Sequence, residues 1–332
     1  MLKGLFRGFL RKRLPAPIFD PSFGSPALQT LNAEFRKGDW KGMQESFGSK
    51  RDWSMFDDYL EILHSIPKPP YCFDSWIEAD PHSYLPWLFR GACLVTWAWE
   101  ARSARRSTEV SREAWQTFFD RLELAERDLL QAANLAPENP APWRHLITCA
   151  TGLNDSQSER KARFHEAQAR DKFHFYSHVA MLMGLCKKWG GSHEGMFGFA
   201  KTASRHAPDG DSLHAIVARA HVERWLYFSF DQDLMRMDSY FHKPEVKQDI
   251  QNAFSRWNVP GMKLSEISRI RDLNDFAFCF RQMRDRDNAY TVFELTKGFV
   301  TQMPWAYIDD PESVYRQARL EVQRFDLKFL FG

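Results

Sequence analysis

The sequence predicts an all-α protein built from antiparallel helix pairs laid side by side, and three observations carry that expectation. First, Ala125, Leu129 and Ala132 lie at i, i+4 and i+7, one face of a helix whose small residues let a neighbour approach closely. Second, Pro137 and Pro140 forbid that helix to continue, and Trp143, Leu146, Ile147 and Ala150 open the next one at i, i+3, i+4 and i+7. Third, Ala132, Ala167 and Ala203 recur 35 and 36 residues apart, each with a partner three residues earlier (Leu129, Phe164, Ala200). Ala136-Pro137 returns as Ala207-Pro208. Three successive second helices therefore share one register.

The run Ala125-x3-Leu129, Ala132 and Pro137, followed by Trp143-x2-Leu146, resembles the tetratricopeptide repeat, whose signature is Trp-x2-Leu-Gly…Ala-x3-Phe…Pro over about 34 residues. Ile147 stands where that family prefers glycine. Trp87 and Gly91 reproduce the Trp-to-Gly interval, with Arg90 in place of the usual leucine, and Ala289-x3-Phe293 with Pro304 returns the closing half. The resemblance implies a right-handed solenoid, degenerate in sequence and irregular at its ends, with a concave surface lined by the first helix of each pair. Over residues 80–310, and in the Trp189-Gly190-Gly191-Ser192 element, the layout is also similar to a bacterial family of helical-repeat proteins with no established activity. That likeness implies no catalytic residue.

Taken in order, residues 1–26 form an arm and a linker. Leu2, Leu5, Phe6, Phe9 and Leu10 fall at helical spacing among Lys3, Arg7, Arg11, Lys12 and Arg13, so residues 1–14 read as a basic amphipathic helix. Such a helix could lie on an anionic membrane or dock on a partner, or be a plain terminal arm. Pro15 to Pro26 is a proline-punctuated linker. Residues 27–230 are expected to hold the repeats. Leu28, Leu31 and Phe35 mark a helix ending at Gly38, and Asp52–Ile66 gives another, stopped by the prolines at 67, 69 and 70. Asp80-Pro81 restarts the pattern, with a long helix through Trp97 and Trp99 and a partner capped by Ser111. Asn139 caps the Trp143 helix, and the glycines at 190 and 191 with Ser192 make a corner between helices, not a phosphate loop. From 231 to 268 the register is lost, with Pro244, Pro260 and Gly261 breaking the chain into short helices. Residues 269–332 supply a last repeat and a capping helix over Ser313–Phe325.

Composition narrows the function. Lysine and arginine number 45 against 43 acids, a net charge of +2 that gives no pull toward nucleic acid. The denser basic group Arg102, Arg105, Arg106 and Arg112 is followed by Glu109 and Glu113 and reads as a solvated helix end. Five scattered cysteines lack any Cys-x-x-Cys pair, which points to buried thiols in a reducing compartment, hence the cytoplasm. No apolar run is long enough to span a bilayer, and no signal peptide is expected. The 28 Phe and 12 Trp suit the gaps between helix pairs.

Catalytic signatures are missing: no Gly-x-Ser-x-Gly, dinucleotide fingerprint or phosphate loop occurs. His174 and His178 stand at i, i+4, a metal-ligand spacing, yet no Glu follows His174 as the zinc-protease motif requires. His214 and His221 share a face with core residues. No enzyme activity, metal or cofactor is therefore expected. The expected function is protein binding, one version being an immunity or antitoxin protein that sequesters its partner. The alternatives are a membrane adaptor using residues 1–14 and a His-dependent enzyme. On the concave face the candidate contacts for a protein or peptide are Arg144, Thr148, Tyr176, Met183, Lys187, Arg219 and Glu223.

Overall fold

The computed structural model describes residues 13–48, 53–61, 72–103 and 109–323. The expected helix over residues 1–14 lies almost wholly outside them, as do Arg105, Arg106 and the prolines at 67, 69 and 70. Among the described residues there are sixteen α-helices and no β-strand, so the chain is all-α. They fall into two compact units, one of residues 24–207 and one of residues 208–332 together with 1–23. The division comes at Ala207/Pro208, whereas the loss of repeat register placed a boundary after 230.

The unit 24–207 begins with α1 (Pro26–Lys37), α2 (Trp40–Gly48), α3 (Trp53–Leu60) and α4 (Cys72–Ala79). Ser25 caps α1, Pro26 fills its first position, and Gly38 ends it with φ +70°, where a side chain would strain the backbone. Helix α4 was not expected, because the proline run before it and Asp80-Pro81 after it left only a short stretch. Its apolar residues Phe73 and Trp76 are fully buried.

Three helix pairs follow: α5 (Tyr84–Arg102) with α6 (Arg112–Leu135), α7 (Ala141–Gly152) with α8 (Gln157–Arg170), and α9 (Phe175–Gly184) with α10 (His193–His206). The first helices also touch one another, α5 against α7 and α7 against α9. Ser111, Ser156 and Ser192 each cap a second helix through the side-chain oxygen. Pro140 is the cap of α7, and Asn139 Oδ1 accepts from the Ala141 amide at 2.9 Å, one residue off the expected arrangement. Ala125, Ala132 and Ala167 are completely buried. Gly91 is a close approach between α5 and α6: a Cβ there would sit 2.8 Å from Leu129 of α6.

Arg90 on α5 meets Asp128 of α6. The guanidinium holds both carboxylate oxygens at 2.7 Å, and Asp128 is buried. The corner after α9 behaves as expected. Gly190 has φ +80°, a Cβ on Gly191 would lie 2.0 Å from the Leu185 carbonyl oxygen, and Ser192 opens α10. Arg102 is not simply solvated; its guanidinium lies over the rings of Trp115 and Trp189 at 5.6 and 5.4 Å.

The other unit holds a short 3-10 turn (Ser212–His214), α11 (Ala215–Phe230), α12 (Leu234–Tyr240), α13 (Pro244–Trp257), α14 (Glu266–Gln282), α15 (Arg286–Leu295) and α16 (Pro311–Gln323). Within residues 231–268, Tyr240, Phe241, Val246, Ile250 and Trp257 all join the hydrophobic core. A chain of aromatic edge contacts runs Trp225–Phe278–Trp305–Tyr315, with centroids 5.2–5.5 Å apart. The stretch read as a linker is tied to this unit by backbone hydrogen bonds. Ile18 donates to the Gly298 carbonyl at 2.7 Å, Val300 donates to the Ile18 carbonyl at 3.0 Å, and Leu14 is buried. This bridge between Ile18 and Phe299 is isolated, a single rung and not a sheet.

Candidate functional site

The structure places the seven sequence-derived contact residues in both units, and it commits four of them internally. Arg144 is buried on α7, with Nε 2.7 Å from Asp57 Oδ1 and Nη1 2.7 Å from Glu61 Oε1. Tyr176 is buried at the start of α9, donating its hydroxyl to Asp58 Oδ1 at 2.8 Å beneath the Arg144 guanidinium. Arg219 on α11 pairs with Asp275 of α14 at 2.6 Å. Glu223 accepts from the Tyr307 hydroxyl at 2.6 Å. Thr148 is half-buried and bonds back to the Arg144 carbonyl, a common habit of helical threonine. Met183 is half-buried and Lys187 exposed. The polar atoms of Arg144, Tyr176, Arg219 and Glu223 are thus engaged within the fold.

The histidines do not converge. His174 Nε2 meets Asp57 Oδ2 at 2.5 Å, and its Nδ1 meets Ser177 Oγ at 2.7 Å. His178 donates from Nδ1 to the His174 carbonyl at 2.9 Å, so the i, i+4 pair faces different partners. The Asp57–His174–Ser177 chain has the composition of a hydrolytic triad, but all three side chains are buried: Ser177 is 0 % exposed. Its chemistry is that of a polar tie from α3 to α9. His214 bonds to the Pro208 carbonyl and His221 to the Tyr240 hydroxyl. Among the described residues no three His, Cys, Asp or Glu side chains are grouped to hold a metal ion, and no helix is long and apolar enough to cross a membrane.

An open recess of about 470 Å³ lies between α8, α9 and α10. Phe164, Met181, Leu185 and Phe199 make its walls, and Lys161 and His165 stand at its rim, with no acid among the lining residues. Its lining combines apolar walls with a few polar groups. Gly195 is also among the lining residues, and a Cβ there would lie 3.1 Å from Ser192 Oγ. Gly198, three residues on, has nothing within 4 Å of where a Cβ would be. Behind the walls, His178 packs edge-on to Phe164 at 4.9 Å, and burial pushes its pKa down to about 4, so the ring is neutral.

Sequence reasoning assigned Phe164 to the repeat register and passed over Phe199. The signal was in α10: Gly198 stands in the helix interior, about 1 kcal/mol worse than alanine, with no packing demand there. The second unit's polar centre is structural by the same test. Asp272 accepts from Ser212 Oγ and Trp257 Nε1, and Asn274 from Trp305 Nε1, all fully buried around α14. No protein-family model matches the chain, and no curated protein matches it in sequence.

Proposed function

We propose that the chain is a non-enzymatic protein-binding array of stacked helix pairs, a right-handed tetratricopeptide-like solenoid, that takes an apolar side chain of a protein partner into the recess between α8 and α10. The recess itself carries the reading. There apolar walls and a basic rim coincide, whereas the His174–Asp57 and Tyr176–Asp58 hydrogen bonds are internal to the fold. Sequestration of a single partner, as an immunity or antitoxin protein does, is one form of this function. Five free thiols, four of them buried, fit a reducing cytoplasmic setting.

Selection of displayed peptides on the intact protein tests the reading. Selected peptides should carry a large apolar residue near an acid. Phe199→Ala and Lys161→Glu should each weaken them about tenfold, the scale of losing a moderate hot spot. Peptides that bind wild type and Phe199→Ala equally would move the interface elsewhere.

A further inference from the structure

We propose that the chain docks on an anionic lipid surface, using the basic and apolar run of residues 1–13 together with exposed apolar side chains at Ile18, Phe19 and Met303. The proposal is independent of the recess between α8 and α10.

The sequence supplies the charge. Lys3, Arg7, Arg11, Lys12 and Arg13 all precede the first acid, Asp20. Leu2, Phe6 and Leu10, and likewise Leu5 and Phe9, recur at intervals of four, a spacing that gathers apolar residues on one helix face. Basic residues among apolar ones in this pattern mark a segment suited to a lipid interface. A leaflet rich in anionic lipid offers one sign of charge over an unbroken area, which fits a run that holds no acid of its own.

The structure supplies a second observation, on the body from which this run departs. Among the described residues nine large apolar side chains are strongly exposed, and three of them lie on two segments that bond to each other. Ile18 and Phe19 are 42 % and 51 % exposed, side by side in the chain, and Met303 is 46 % exposed. Ile18 accepts from the Val300 amide at 3.0 Å, and Met303 follows three residues later, in a turn where Thr301 Oγ1 donates to its carbonyl at 2.6 Å. Ile308 is exposed as well, but Asp309 and Asp310 follow it, so the lipid side is that of Ile18 and Met303.

The two parts are held near each other. Leu14 is buried, and its carbonyl accepts from Arg319 Nη1 at 2.6 Å, which fixes the point where the basic run meets the body. Arg13, the next residue out, is exposed. The four residues from Leu14 to Ile18 span at most about 14 Å even when fully extended. A bilayer that draws in the basic run therefore meets Ile18 and Phe19 beside it, and removing these side chains from water adds to the attraction.

Flotation of the full chain with vesicles tests the proposal. Binding to phosphatidylcholine vesicles that contain phosphatidylglycerol should be at least about tenfold tighter than to phosphatidylcholine alone, and high salt should remove most of that difference. Phe6→Ser/Phe9→Ser should weaken it about tenfold, and Ile18→Ser/Phe19→Ser about fivefold with helix content unchanged. Equal binding to the two kinds of vesicle, or binding to neither, would overturn the proposal. So would full binding by Ile18→Ser/Phe19→Ser, since the body would then take no part. Loss of helix content in that variant would also count against it, because the two side chains would then belong to the fold.

Discussion

At the scale of single residues, the unit 24–207 is held by charges whose partners are far away in sequence. Arg90 is the clearest case. Burial raises the pKa of Asp128, and the Arg90 guanidinium works against that shift. Arg90→Leu strands a buried carboxylate and should cost about 3–5 kcal/mol in urea unfolding. Adding Asp128→Leu should recover most of it. His178 gives a pH signature. The folded ring titrates near 4 against 6.5 for the free side chain, because burial disfavours its charged form. Its contribution is complete above pH 6.5 and is lost as pH falls toward 4, by about 3 kcal/mol in all. His178→Gln should flatten that acid limb; an unchanged limb would show that the ring is hydrated. Arg144 and Arg219 teach a related lesson: reversing either charge would strand Asp57 or Asp275, so neither is a clean probe of a partner surface.

At the scale of elements, the second helices depend on small residues. Ala132 is fully buried in α6, and Ala132→Leu should destabilise by about 1–3 kcal/mol through overpacking, read as a lower urea midpoint at constant slope. Helix α14 offers the opposite pH sign to His178. Burial pushes Asp275 up to about 6, against a free value of 3.8, despite Arg219 beside it. The fold prefers the neutral acid, so stability falls as pH rises from about 4 through 6. Asp275→Asn should therefore gain about 3 kcal/mol on wild type between pH 4 and pH 7. Helices of this kind were legible in sequence because alanine spacing, proline stops and serine caps are local marks. Helix α4 was not, being one short amphipathic turn-pair between breakers. The Asp57 and Asp58 contacts were not legible either. Acids on a helix read as a solvent face, and their partners lie 117 and 118 residues away. The recess was half legible: Phe164 was placed on its helix face, but only tertiary packing leaves its neighbour Phe199 uncovered.

At the scale of the whole molecule, each compact unit has its own core, and the residues 13–23 belong to the one that is otherwise C-terminal. Removing residues 1–23 should expose the seat of Leu14, costing about 2 kcal/mol. It should also break the Ile18 and Val300 hydrogen bonds and the one from Arg319 to the Leu14 carbonyl. Hydrogen exchange should then show lower protection in α14–α16 with α5–α9 unchanged. Loss of protection throughout would mean that the units do not fold separately. The pairing of Ile18 with Phe299 also sets an order of assembly during translation. At ordinary rates of about 5–20 residues per second, the ribosome makes residue 299 roughly 15–60 seconds after residue 18. Throughout that interval the whole segment 24–207 emerges and can close on itself. The earliest described part of the chain is thus among the last to find its place, and a nascent chain stalled before Phe299 would carry one finished unit and an unmatched leading segment.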